Sequence, residues 1–211
     1  MSFVIVIDRW KEALRNPGFR CRIAVTLMAL VAVLMALKSF LGWNETRPGK
    51  ILSDPILTLF SPVDLTWLTF LLVYGGVIGA LILLARDPER LLRAIQGYVL
   101  VILLRIVTIL LFPLEPPPSM IPLQDPIVQF FGGMTSTPNK DLLFSGHTAT
   151  MFLLYLNVSG RRTRQVFLVG TIAVAVSLLL QHVHYTIDVI VALFIAYAAY
   201  RIVACLNRRF F

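Results

Sequence analysis

All three histidines of this 211-residue chain lie in two short polar stretches, each at the edge of an apolar run. One stretch reads DLLFSGHT (141–148) and the other HVHYTID (182–188). His184 and Asp188 are spaced i, i+4, so on a helix they share one face. A carboxylate so placed can bond one imidazole nitrogen, fix the tautomer, and leave the other nitrogen a better base or nucleophile. Ser145, Gly146 and His147 read as the start of a helix, where unpaired N–H groups and the helix dipole favour an anion such as phosphate. Glycine there allows close backbone approach. His147 would stand beside the anion, able to give or take a proton near neutral pH. His182, two residues from His184, cannot share its helical face and is carried as a candidate substrate contact. Taken singly, each motif has a bland reading as an interfacial polar residue. His-x-His also has the spacing of a metal pair. A metal site wants more ligands, and no cysteine lies nearby, so neither metal nor cofactor is expected.

These groups must be positioned in a bilayer. The hydrophobic fraction is 58% and the charged fraction only 14%, against roughly 25% charged residues in an ordinary soluble domain. So few charges cannot cover a water-exposed surface, and the lipid bilayer is the main solvent. The expected fold is all-α: one membrane-embedded domain over residues 1–211, opening on a short basic segment, 1–21. Six apolar stretches approach the ~20 residues a spanning helix needs: 22–43, 64–85, 94–114, 142–158, 164–182 and 186–205. The fourth is short and begins with polar residues. Pro113 and the run Pro116-Pro117-Pro118 end the third. No small-x-small cleavage site follows the first run, which is expected to stay as an anchor.

Orientation follows from lysine and arginine. Fourteen flank one set of span ends and three (Arg47, Lys50 and Lys140) the other, which puts both termini in the cytoplasm. The net charge of +8 is explained by this loop bias, and no nucleic-acid partner is expected. Both histidine stretches then fall on the extracytoplasmic side, in the inner membrane if the source is bacterial. Lys38, near the outer end of the first run, can reach the headgroups. Arg105 is different, because it sits mid-span in YVLVILLRIVTILLF. Even lower estimates put such a charge at roughly 2.5–3.5 kcal/mol, so it should face the bundle interior or a polar cavity, as a structural ion pair or as a functional group. The outer loop 44–63 reads as interfacial, and the loop 115–141, with GGMTSTPNKD, must turn sharply. Gly75, Gly76 and Gly79 can pack within one chain or between chains, which leaves a homo-oligomer open.

SGHT followed by HYTIDV resembles the sphingomyelin synthase family, a branch of the type-2 phosphatidic acid phosphatase superfamily. LRIVTILLFPLEPPP (104–118) is similar to that family's arginine-bearing third helix and proline turn, and DLLFSGHT to its D-x-x-x-S-G-H-T motif, with Asp141 in place. The likeness covers roughly residues 90–200. Asn139-Lys140 stands where the family usually has Cys-Gly. The wider superfamily's S-R-x-x-x-x-x-H-x-x-x-D aligns on Ser177, His184 and Asp188, but with Leu178 for its arginine. Its K-x-x-x-x-x-x-R-P has no counterpart.

The resemblance implies a phosphotransferase with His147, His184 and Asp188 as catalytic residues. Arg105, Asp141, Ser145, Gly146 and His182 would contact substrate. The partners implied are a membrane phospholipid and a lipid alcohol (ceramide or diacylglycerol) or water. A ceramide acceptor makes the reaction sphingomyelin synthase-like. Water makes it that of a lipid phosphatase or phospholipase C-like hydrolase. A polar pathway through a bundle also suits a non-catalytic lipid transporter or scramblase, and an inactive assembly subunit is a further alternative.

Overall fold

The computed structural model describes residues 3–125 and 139–210, so residues 132–138 of the expected sharp turn lie outside the described residues. Seven α-helices are described: α1 (Phe3–Arg15), α2 (Pro17–Asn44), α3 (Thr66–Leu84), α4 (Pro88–Leu111), α5 (Gly146–Asn157), α6 (Arg161–Leu180) and α7 (Thr186–Phe210). A single 3-10 turn, Leu57–Leu59, lies between α2 and α3. No strand is present among the described residues, only an isolated parallel bridge between Lys50 and Leu114.

Local chemistry sets the helix starts. Asn16 caps α2 by accepting from the Gly18 N–H at 2.8 Å, with Pro17 in the first turn. Asp87 caps α4 through the Arg90 N–H at 3.1 Å, followed by Pro88. Both follow the preference for a short polar side chain before the first turn and proline just inside it. Five helices, α2, α3, α4, α6 and α7, are long and apolar enough to cross a membrane. Their outward faces carry large apolar side chains such as Met35, Leu71, Val169 and Phe194, as a lipid-facing surface should.

The fourth expected span takes a different form. α5 has 12 residues, and at 1.5 Å per residue such a helix reaches only about 18 Å. It is led in by a non-helical segment, 139–145, whose Leu142, Phe144 and Ser145 are buried. Irregular backbone at membrane depth is tolerated where protein rather than lipid surrounds it. The segment 1–21 also carries more structure than its charge suggests. It holds α1, which docks through the Trp10 indole N–H on the Ala85 carbonyl at 2.7 Å.

α5 packs against α3, α4, α6 and α7, and α7 lies against α5 and α4. Ala192, Ala196 and Ala199 are fully buried against Val101 of α4 and Phe144, Ala149 and Leu153 around α5. Small residues on one face allow this close packing without help from a hydrophobic effect in lipid. Gly76 is used within the chain, since a Cβ there would meet the Met151 sulfur at 2.6 Å, whereas Gly75 and Gly79 face open space.

The two bundle ends differ in character. One gathers α1, the α3–α4 and α5–α6 turns and the end of α7. It is tied by Arg22 to both Glu89 and Asn207. The other end holds both histidine stretches.

Candidate functional site

Asp188 is fully buried in the first turn of α7 and is the hub of the site. One carboxylate oxygen, Oδ2, lies 3.0 Å from His184 Nδ1 and accepts the Tyr185 N–H at 3.0 Å. The other accepts the Leu143 N–H, also at 3.0 Å. The Ser145 N–H donates to the Asp188 backbone carbonyl at 3.3 Å. Thus one residue joins the entrance of α5 to the start of α7, and one carboxylate serves three groups. With Nδ1–H donating to Asp188, the free His184 nitrogen is Nε2, the one available for chemistry. The i, i+4 spacing works here without a shared helical face, because His184 precedes the helix, which begins at Thr186.

The turn before α7 is set by two other devices. His182 adopts φ +56°, a left-handed conformation that side-chain-bearing residues seldom take, and Leu143 does the same at φ +65°. Asp54, distant in sequence, caps α7: its carboxylate accepts the Thr186 N–H at 2.6 Å and the Thr186 hydroxyl at 3.2 Å. Burial opposes ionisation of Asp54, but the hydrogen bonds from Thr186 and from the backbone at Ile56 and Leu57 outweigh it and hold the carboxyl below its ordinary value.

Ser145 is the N-cap of α5, and its hydroxyl accepts the Thr148 N–H at 3.4 Å and donates to Thr148 Oγ1 at 2.9 Å. His147 follows in the first turn, half-buried, with Phe70 edge-on at 5.6 Å. It lies within electrostatic reach of Arg105, His184 and Asp125.

Arg105 is paired with Asp141: its Nε donates to Oδ1 at 2.9 Å and an Nη bonds Oδ2. A Cβ at Gly146 would lie 2.6 Å from Arg105 Nη1 and 2.8 Å from Cζ, so glycine is what admits the guanidinium to the start of α5. The intramembrane arginine therefore has the acidic partner that its position demands, and the same guanidinium lies against the N-terminal turn that carries His147.

The structure brings His147, His184, Asp188, Arg105, Asp141, Ser145 and Gly146 to one end of the bundle. It sets His182 apart. The His182 ring lies 2.5 Å from Ser119 Oγ through Nδ1 and edge-on to Phe60 at 5.3 Å, in the loop layer. Two contributors escaped sequence reasoning: the Leu143 and Tyr185 N–H groups on Asp188 have no side-chain signature. Asp54 stands in the outer loop 44–63, where Leu52-Ser53-Asp54 is loosely similar to the first motif of the resembled family, but nothing there marks it as the cap of α7.

Residues 140–205 match the family model described as PAP2 superfamily C-terminal. That stretch runs from the segment before α5 into α7 and contains His147, His184 and Asp188, but not Arg105. It is just under a third of the chain. The match supports the superfamily resemblance over these residues and does not extend to the sphingomyelin synthase branch. No curated protein matches significantly.

Gly146→Ala tests the close approach of Arg105. At the first position of α5 the gain in helix propensity from alanine is below the ~1 kcal/mol of a helix interior, and the Arg105–Asp141 pair must shift, so the melting temperature should fall slightly while the protein stays folded. The displaced guanidinium should lower lipid turnover about 100-fold, the scale of a 1 Å misplacement. Turnover and melting temperature of the variant, measured together in nanodiscs, check this. A loss of activity that simply tracked unfolding would contradict it.

Proposed function

We infer that the chain is an integral-membrane enzyme transferring a phospho-headgroup, phosphocholine or phosphoethanolamine, from a glycerophospholipid to an acceptor alcohol such as ceramide. The single observation that carries this reading is the buried His184–Asp188 pair, locked by backbone N–H groups beside His147 and Arg105. A scaffold or a transport path has no need of an imidazole oriented in this way.

In the first step His184 Nε2 attacks phosphorus. The bond from phosphorus to the diacylglycerol oxygen breaks, and the His147 imidazolium donates its proton to that oxygen. A phosphohistidine bearing the headgroup remains. In the second step neutral His147 takes the proton of the acceptor hydroxyl, whose oxygen attacks phosphorus. The phosphorus–nitrogen bond breaks, and its electron pair returns to His184. Arg105 and the N–H groups at the start of α5 face the negative charge that spreads over the phosphoryl oxygens.

The charge balance favours a phosphodiester. Arg105 is already half-answered by Asp141, and Lys140 by Glu115 at 2.8 Å. A singly charged headgroup phosphate suits that supply better than a doubly charged phosphomonoester. Water in place of the alcohol gives a phospholipase C-like hydrolase, and water with a phosphomonoester donor gives a lipid phosphatase. By the lysine and arginine bias, the site opens to the extracytoplasmic leaflet.

Lipid mass spectrometry decides the acceptor. Purified protein in mixed phosphatidylcholine, phosphatidylethanolamine and phosphatidic acid should release diacylglycerol from a phosphodiester lipid. Added ceramide should draw the headgroup into a new ceramide phosphodiester. Phosphate release from phosphatidic acid alone would replace the transferase reading with the phosphatase one. No product from any lipid would favour a transporter.

A further inference from the structure

A second polar cavity lies at the bundle end away from the histidines. It has a volume of about 410 Å³ and is lined by Arg90, Arg93 and Arg164, with Ser159 and Gly160 from the α5–α6 turn and Tyr200 of α7. None of its lining residues is acidic. Arg90 and Arg93 are half-buried. Arg90 leans on Asp87 at 3.5 Å, outside the cavity, and Arg164 on the Tyr155 hydroxyl at 3.2 Å. Arg93 has no hydrogen-bonding or ionic partner among the described residues. With three arginines and no acid in its lining, the cavity presents positive charge to whatever enters it. Basic residues at this end also serve as orientation signals, a role that Arg164, exposed like Arg161 and Arg162, can share, but that role needs no cavity and leaves the half-buried Arg90 and Arg93 unexplained.

We propose that this cavity binds the phosphate of an anionic phospholipid headgroup in the leaflet opposite the histidine site. Apolar Leu156, Val158 and Val203 share its wall with the arginines, which matches the mixed character of a headgroup and its glycerol better than that of a free anion. Basic pockets between transmembrane helices at the cytoplasmic side are a recurring form of headgroup site. The 20 residues of α6 separate this cavity from the turn bearing His184, about 30 Å along a helix. The site is therefore a second lipid contact and not an extension of the first, and it stands whether or not the chemistry above is right.

The test is native mass spectrometry of the full chain in detergent with added dioleoylphosphatidylglycerol or dioleoylphosphatidylcholine. Phosphatidylglycerol should be retained in preference to phosphatidylcholine. Arg93→Gln should weaken its retention about fivefold, and the triple change of Arg90, Arg93 and Arg164 to glutamine by about 100-fold, following the strength of single basic contacts to anionic lipid. Arg93→Lys should keep most of it. Should the triple variant fail to fold, the Arg93 pair of variants decides. Equal retention of the two lipids, or unchanged retention in Arg93→Gln, overturns the proposal. Displacement of the lipid by millimolar glycerol 3-phosphate assigns the site to a soluble phosphate and overturns the lipid assignment.

Discussion

Turnover of the preferred phospholipid should fall by at least about 10⁴-fold in His184→Ala, since loss of a nucleophile removes the first covalent step and not merely a contact. The expectation rests on where the ring is held. His184 is 4% exposed, its Nδ1 is occupied by Asp188, and Nε2 is the nitrogen left to attack. His147→Ala should lose less, about 10² to 10⁴-fold, the usual range for a general acid and base. The contrast between the two variants is informative, because a nucleophile and a proton carrier differ in which step they abolish. His147→Ala should still react slowly with a lipid whose leaving group needs no proton, such as a p-nitrophenyl phosphodiester, whereas His184→Ala should not. A lipid transporter would move headgroups in both variants at the wild-type rate. Equal, modest losses in both would contradict the assignment of roles.

Asp188 separates chemistry from folding. Asp188→Ala strips the acceptor from the buried Tyr185 N–H, from the partly buried Leu143 N–H and from the His184 ring at once. Each buried donor left without a partner costs about 1–3 kcal/mol, so this variant should lose several kcal/mol and be recovered in low yield. Asp188→Asn keeps the shape and one carbonyl oxygen. Its amide nitrogen can no longer accept, so either the Leu143 N–H or the groups on Oδ2 lose their partner, and the charge that steadies an imidazolium is gone. The expected outcome is a folded protein with turnover reduced about 10³ to 10⁴-fold, on the scale of other carboxylates that orient a catalytic histidine. Melting temperature and single-turnover rate measured on both variants check this. An asparagine variant of near wild-type rate would reduce Asp188 to a tie between α5 and α7.

Local relations were legible in the residues, and long-range ones were not. The His184–Asp188 spacing and the serine at the head of α5 are short-range patterns, and the abnormality of a charge at Arg105 shows in the apolar run on either side of it. The partner of Arg105 lies 36 residues away, and the cap on α7 comes from Asp54, 132 residues away. Nothing in periodicity links such pairs. The reason for Gly146 was half-visible: glycine permits close approach, but only the fold supplies Arg105 as the group that approaches. The fourth span was misjudged in length because Leu142, Leu143 and Phe144 read as the opening of an apolar helix. The left-handed backbone of Leu143 instead turns the chain so that its N–H reaches Asp188. That is a local conflict between propensity and fold, of the kind expected beside a functional site. The uneven distribution of lysine and arginine gave an expected orientation, but nothing in it marked Arg90, Arg93 and Arg164 as the wall of one cavity.

The most direct test is to quench the protein, incubated with a headgroup-labelled phospholipid, before the reaction is complete, and to map the label by mass spectrometry under conditions that preserve phosphoramidates. The account predicts an acid-labile adduct of the intact phospho-headgroup on His184, and none on His147 or His182. Rapid turnover with no covalent adduct, or an adduct on His147 or His182 while His184 stays bare, would contradict it.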